Sequence, residues 1–149
     1  MKIFVLVTLL LATAATEAYS CERERLNPTE AKIAADVIFQ GTVESIQYLD
    51  DPVESKLEAR IIVSFGVSKS WKGDTGSLIN LHTTYNRTTC NGFKFRLRQE
   101  YLVFATHNSA ASNFLARLLA PKEPTLGVKV FSGTSPISEA TAYLDVLSN

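Results

Sequence analysis

Asp36-Val37-Ile38-Phe39-Gln40-Gly41-Thr42-Val43-Glu44-Ser45-Ile46-Gln47-Tyr48 is the stretch that decides the fold. Val37, Phe39, Gly41 and Val43 point one way; Ile38, Gln40, Thr42 and Glu44 point the other. A period of two with β-branched residues predicts a half-buried strand. Gly41 in its interior predicts a bulge or sharp bend, which small barrels need at their corners.

Downstream, the same pattern recurs between turn signals. Asp50-Asp51-Pro52 is a turn, and Leu57 to Trp71 is the longest strand candidate. In it Ala59, Ile61, Val63, Phe65, Val67 and Trp71 share one face, with Arg60, Ser64, Gly66, Ser68 and Ser70 mostly on the other. Lys72-Gly73-Asp74-Thr75-Gly76 is a second turn, followed by a strand from Ser77 to Thr83. Phe93, Phe95 and Leu97 alternate with Lys94, Arg96 and Arg98. Tyr101 to Thr106 is apolar almost throughout, which predicts a fourth, central strand. Asn113 to Leu119 is a fifth strand candidate. Residues 122–135, punctuated by Pro124, Gly127 and Gly133 just after Pro121, read as a wrapping loop. A final helix is predicted with Ser135 as its cap, Pro136 as its first residue, and Ile137, Ala140, Leu144 and Leu147 as its apolar stripe.

Upstream, Asn27-Pro28-Thr29-Glu30 is a helix start, with Asn27 the cap and Glu30 reaching back to it. Ala31 to Ala35 makes the helix short, and it ends before Val37. The pattern as a whole predicts an all-β chain: a five-stranded OB-type Greek-key barrel with a short N-terminal helix and a C-terminal helix. Periodicity leaves the strand order open.

Residues 1–20 have the pattern of a secretory signal peptide. Lys2 is the positive start, Ile3 to Leu11 the apolar run, and Ala18 and Ser20 the small residues at positions −3 and −1 of a cleavage site. Cutting after Ser20 makes Cys21 the first mature residue, with a free α-amine, a carbonyl and a thiol. Ser20-Cys21 also reads as a bacterial lipoprotein junction, but Ala18 stands where such signals usually carry Leu. The expected location is therefore secreted and extracellular, or periplasmic or lipid-anchored if the source is bacterial. The only other cysteine is Cys90, and in an oxidising compartment the two are expected to pair.

The 149 residues carry 15 basic and 15 acidic side chains, so the chain is formally neutral. Neutrality gives no electrostatic case for nucleic acid or an anionic membrane as partner. The apolar run of the signal is too short to span a bilayer comfortably. Length suits one domain, at 21–120, followed by a wrapping loop and helix at 121–149.

Four stretches together resemble the netrin-like module, and in particular the N-terminal domain of the tissue inhibitors of metalloproteinases. They are Cys21 directly after the signal; Ala35 to Val43; Val67-Ser68-Lys69-Ser70-Trp71-Lys72-Gly73; and Cys90-Asn91-Gly92-Phe93 followed by Glu100 to Ala105. The resemblance covers roughly Cys21 to Pro121. It implies an OB barrel and a secreted inhibitor of zinc proteases. The Cys21 amine and carbonyl would chelate the target's catalytic zinc, since such a zinc keeps one position open. Displacing the nucleophilic water there stops the enzyme. Glu22 would face the specificity pocket, Arg23 would follow it, and Thr88 and Thr89 beside Cys90 would form the second inhibitory edge. Two departures stand out. Arg23 replaces the family's second cysteine, and Leu118-Leu119 stands where its partner belongs, so a second bridge is absent. Glu22 replaces a small polar residue, and a carboxylate entering an apolar pocket is costly to desolvate.

Plainer readings stand beside these. Cys21 serves equally well as a staple, because a bridge closing so long a loop stabilises by about 4 kcal/mol in the chain-entropy picture. The domain is then a non-inhibitory netrin-like module that binds another extracellular protein. His82 and His107 have no ligand partners at metal spacing, so no intrinsic metal site and no cofactor is expected. Lys94, Arg96 and Arg98 with Phe93 and Phe95 read as a solvated face over a core face rather than a platform for single strands. Asn86-Arg87-Thr88 is a possible glycosylation acceptor, wherever the host glycosylates. No nucleophile elbow, phosphate loop or spaced carboxylate pair occurs, so an enzyme is not expected.

Overall fold

Strand β1, Val37–Tyr48, pairs along its length with β2, Ala59–Lys72, and along its first half with β4, Glu100–Asn108. It can serve both because it is bent. Three residues are skipped in its ladder with β2: Glu44 on β1, and Ser68 and Trp71 on β2. Each bulge adds local twist and curvature. Gly41 sits beside one of them, where a Cβ would lie 2.9 Å from the Gly66 carbonyl oxygen. The bend expected at this glycine is therefore present.

The computed structural model describes residues 25–49, 59–85, 92–108, 125–128 and 132–148. Strand β3, Leu78–Tyr85, follows β2 antiparallel across the Gly73–Ser77 turn. Strand β5, Thr125–Gly127, joins β3 through one parallel pair, His82 with Gly127, and joins β4 antiparallel. The order β1-β2-β3-β5-β4 closes back on β1. This is a closed five-stranded barrel of the OB type. Strand β6, Ser135–Pro136, adds to β4 outside the ring.

Two apolar clusters hold the fold. The barrel interior holds Val37, Phe39, Val43, Ile61, Val63, Phe65, Leu81, Tyr101, Val103 and Ala105. Its aromatic centre is Phe65, edge-on to Phe39 at 5.5 Å and to Phe95 at 5.1 Å. The segment carrying Phe93 and Phe95 is irregular rather than extended, yet both rings pack on Tyr101, at 5.7 and 5.0 Å. Lys94, Arg96 and Arg98 are exposed, as a solvated face requires. Burial raises the Tyr101 phenol above its usual range, although its oxygen accepts the Arg96 backbone N–H at 3.0 Å.

The second cluster lies outside the barrel. Ile38, Leu102 and Phe104 face away from the interior, beneath helix α1, Pro28–Ala34, and helix α2, Thr141–Ser148. Strand β4 is thus covered on both faces, which accounts for its near-continuous apolar run.

Four expectations are revised. Trp71 packs with this outer cluster and not with Phe65, because the bulge at Ser68, between the two, shifts the strand's alternation by one residue. Ser135 is a strand residue paired with Leu102 and does not cap the last helix. Pro136 closes β6, and a 3-10 turn, Ile137–Glu139, intervenes before α2. The stripe Ile137, Ala140, Leu144 and Leu147 does pack inward. Finally, β5 falls within residues 122–135, read from the sequence as loop, and β6 begins at the last of them. The candidate strand Asn113–Leu119 lies outside the described residues, as does the Asp50-Asp51-Pro52 turn.

Candidate functional site

Cys21, Glu22, Arg23, Asn86, Thr88, Thr89 and Cys90 lie outside the described residues. What the structure does define is the pair of anchors from which those segments depart: Leu26 with Asn27, and Gly92 with Phe93.

The first anchor is the start of α1. Asn27 Oδ1 accepts the Glu30 N–H at 2.9 Å, and the Glu30 carboxylate accepts the Asn27 N–H at 3.3 Å, completing the expected capping box. Leu26, just before the cap, packs in the same cluster as Ala31, four positions into the helix, as a hydrophobic staple. A seven-residue helix has little stability of its own. It is therefore held from outside at its other end too. Lys72 Nζ donates to the carbonyls of Lys32 at 3.1 Å and Ile33 at 3.4 Å, where a cation complements the helix dipole. Lys32 Nζ in turn donates to the Val146 carbonyl near the end of α2, at 2.9 Å. The Val67–Gly73 stretch thus supports α1, through Trp71 beneath it and Lys72 at its end.

The second anchor is the far end of β3. Gly92 is pressed against the Thr84 backbone so closely that a Cβ there would overlap the Thr84 carbonyl. The Phe93 N–H donates to Thr83 Oγ1 at 3.3 Å.

The two anchors are near one another across the sheet. Leu26 and Thr106 line one cleft of about 270 Å³, with Ala31, Ala34, Ala35, Phe104 and Ser132. Thr106 is opposite Gly127, and Gly127 opposite His82, two residues before Thr84. With strands about 4.8 Å apart and about 3.4 Å per residue along them, Thr106 to Thr84 spans roughly 12 Å across the sheet surface. Five residues of extended chain from Leu26 and two from Gly92 reach about 23–25 Å in all. Pairing of Cys21 with Cys90 is within the reach of the chain.

His82 is half-buried on β3, and His107 is exposed on β4. Asp36 Oδ2 accepts the His107 N–H at 2.8 Å and lies 3.5 Å from its Nδ1. That backbone bond, opposed by some desolvation and helped by the imidazole and Lys72, holds the Asp36 carboxyl below the usual carboxylate range. The pair ties the start of β1 to β4. Among the described residues, no group of three His, Cys, Asp or Glu is placed to hold a metal ion. Nor is any helix among them long and apolar enough to cross a membrane.

Several supports were not legible in the sequence. Lys72 as a helix cap, Tyr143 on Leu26, and Asp36 with His107 all join residues far apart in the chain. A capping box has a local motif; these contacts have none. No protein-family model matches this chain, and no curated protein is significantly similar to it.

Proposed function

We propose that this protein is a secreted inhibitor of zinc metalloproteases that acts through its mature N-terminus. The Cys21 amine and carbonyl would occupy the open position of the target's catalytic zinc and displace its water. A bridge to Cys90 would hold that chelate rigid and lower the entropic cost of binding. Thr88 and Thr89 would supply the neighbouring edge, with Glu22 and Arg23 entering the cleft beside the zinc.

The observation that carries this reading is the convergence of the two anchors. Leu26 is stapled on α1 beside Thr106, and Gly92 is pressed on β3 one strand beyond β5. A chain end is ordinarily frayed. Here residues 21–24 would precede a helix fixed at both ends, and the reach of the chain would allow one bridge from Cys21 to Cys90.

Two measurements test it. N-terminal sequencing of the secreted protein is expected to give Cys21 with a free amine; another first residue or a blocked amine removes the mechanism. An inhibition panel of secreted zinc proteases is then run with wild type and a variant carrying one extra alanine before Cys21. The extension is expected to abolish inhibition and leave thermal stability unchanged. Equal inhibition constants would leave Cys21 as a staple and the domain as a non-inhibitory extracellular binding module.

A further inference from the structure

Ile33 is 74% exposed on helix α1, on the face opposite the buried Ala31 and Ala35. A single apolar side chain on a surface is ordinary. What surrounds this one is a set of lysines held in place. Lys72 Nζ donates to the carbonyls of Lys32 and of Ile33 itself, so its ammonium lies against the same turn of helix. Trp71, the residue before Lys72, is half-buried in the outer cluster with Ala31 and Ala35. Lys69 Nζ lies over the Trp71 ring, 4.6 Å from its centroid. Lys32, beside Ile33, is fixed by the Val146 carbonyl at 2.9 Å. An ammonium carries three donors. Lys72 spends two of them on α1, Lys32 spends one, and Lys69 rests on a π face. Among the described residues none of these lysines forms an ion pair with a carboxylate; Asp36 acts on Lys72 only through space and is itself engaged with His107.

We propose that Ile33, Trp71 and the ammoniums of Lys32, Lys69 and Lys72 form a docking surface for another protein, one that presents carboxylates around an apolar side chain. The unspent donors call for anionic acceptors, and Ile33 calls for an apolar contact between them. Because each ammonium is already anchored to a carbonyl or a ring, little rotamer freedom is left to lose on binding. The Trp71 ring supplies the aromatic anchor that such interfaces favour. A membrane fits less well, since one exposed isoleucine and a half-buried ring leave little to insert among lipids. A sulfated polysaccharide or a nucleic acid would satisfy the lysines and leave Ile33 without a partner. The surface uses none of the residues assigned to inhibition, so it stands or falls separately from the proposed function.

Trp71 is the only tryptophan of the chain, so its fluorescence reports on this surface directly. The probe is a synthetic peptide with two glutamates on each side of one leucine, titrated into the full mature protein beside its glutamine counterpart. The glutamate peptide is expected to shift Trp71 emission, less so as salt is raised, and the glutamine peptide to leave it unchanged. Ile33→Gln and Lys69→Gln alter exposed side chains, and each is expected to weaken the dissociation constant about three- to tenfold. Arg98→Gln removes an exposed charge from the turn before β4 and is expected to leave it unchanged. No response to the glutamate peptide would overturn the inference, as would an equal response to the glutamine peptide. Equal weakening by Arg98→Gln would reduce the effect to net charge and overturn it as well. A stronger response to vesicles containing phosphatidylserine, or to heparin, would replace the protein partner by a lipid surface or a glycan.

Discussion

Replacing Gly92 by alanine tests how firmly Gly92 and Phe93 are seated on the barrel. Gly92 has φ +82, and an added Cβ would overlap the Thr84 carbonyl. Backbone stands against backbone here, so no rotamer change relieves the clash. Gly76 provides the control: it has φ +58, but its nearest neighbour, the Leu78 oxygen, is 3.9 Å from an added Cβ. At Gly76 only the left-handed conformation is penalised, by about 1–2 kcal/mol, offset by about 0.4–1 kcal/mol from a less flexible unfolded chain. At Gly92 the same balance applies, and the segment must also lift from β3. That loses the bond from the Phe93 N–H to Thr83 Oγ1, worth about 0.5–1.5 kcal/mol. It also loosens the Phe93 ring, now 4.6 Å from Phe95 and 5.7 Å from Tyr101, an aromatic contact worth about 0.5–1.5 kcal/mol per pair. Gly92→Ala is therefore expected to cost about 2–4 kcal/mol and Gly76→Ala no more than about 1.6 kcal/mol. Urea unfolding reads both, with the m-value checked for constancy. Equal penalties at the two positions would refute the reasoning, since they would show that nothing presses on Gly92 beyond its own backbone angle.

Three further outcomes are expected. The Ser135 hydroxyl is buried and has no hydrogen-bond partner among the described residues, so Ser135→Ala should raise stability by about 1 kcal/mol; a lower urea midpoint would show that the hydroxyl is satisfied. Asp36→Asn keeps an acceptor for the His107 N–H but removes the charge whose pKa the fold depresses. A depressed carboxyl contributes stability that is present above its unfolded pKa and is lost as pH falls through its folded one. Wild type should therefore exceed Asp36→Asn in stability near neutral pH, and the gap should close below the ordinary carboxylate range; a pH-independent gap in urea titrations would contradict this. In the mechanism proposed above Glu22 would face an apolar pocket of the target, so Glu22→Thr should tighten inhibition of a susceptible zinc protease by about 1–3 kcal/mol; an unchanged inhibition constant would place residue 22 outside that pocket.

The sequence by itself determined the elements whose signals are local. Period-two alternation marked β1 and β2, and a turn signal and an unbroken apolar run marked β3 and β4, to within a few residues; Asn27 with Glu30 announced a capping box that the backbone realises. The glycine in β1 marked the bend. Double-sided burial of β4 could be read from its unbroken apolar run, because a strand covered on both faces needs no polar alternation. Tertiary structure decided what depends on meeting a distant partner. Strand β5 is three residues long, too short to show a period, and exists because β3 and β4 offer it hydrogen bonds on both sides. Ser135 looked like a helix cap, the use its side chain favours locally, yet pairing with Leu102 claims its backbone. Trp71 shares parity with Phe65, but the bulge at Ser68 between them shifts that alternation, and where a bulge falls is set by how two strands must curve to close a barrel. Lys72 and Tyr143 carry no motif at all. Their roles come from the placement of a lysine ammonium on the end of one helix and a phenol hydroxyl on the approach to its start, across 39 or more residues of chain that only the closed barrel brings together.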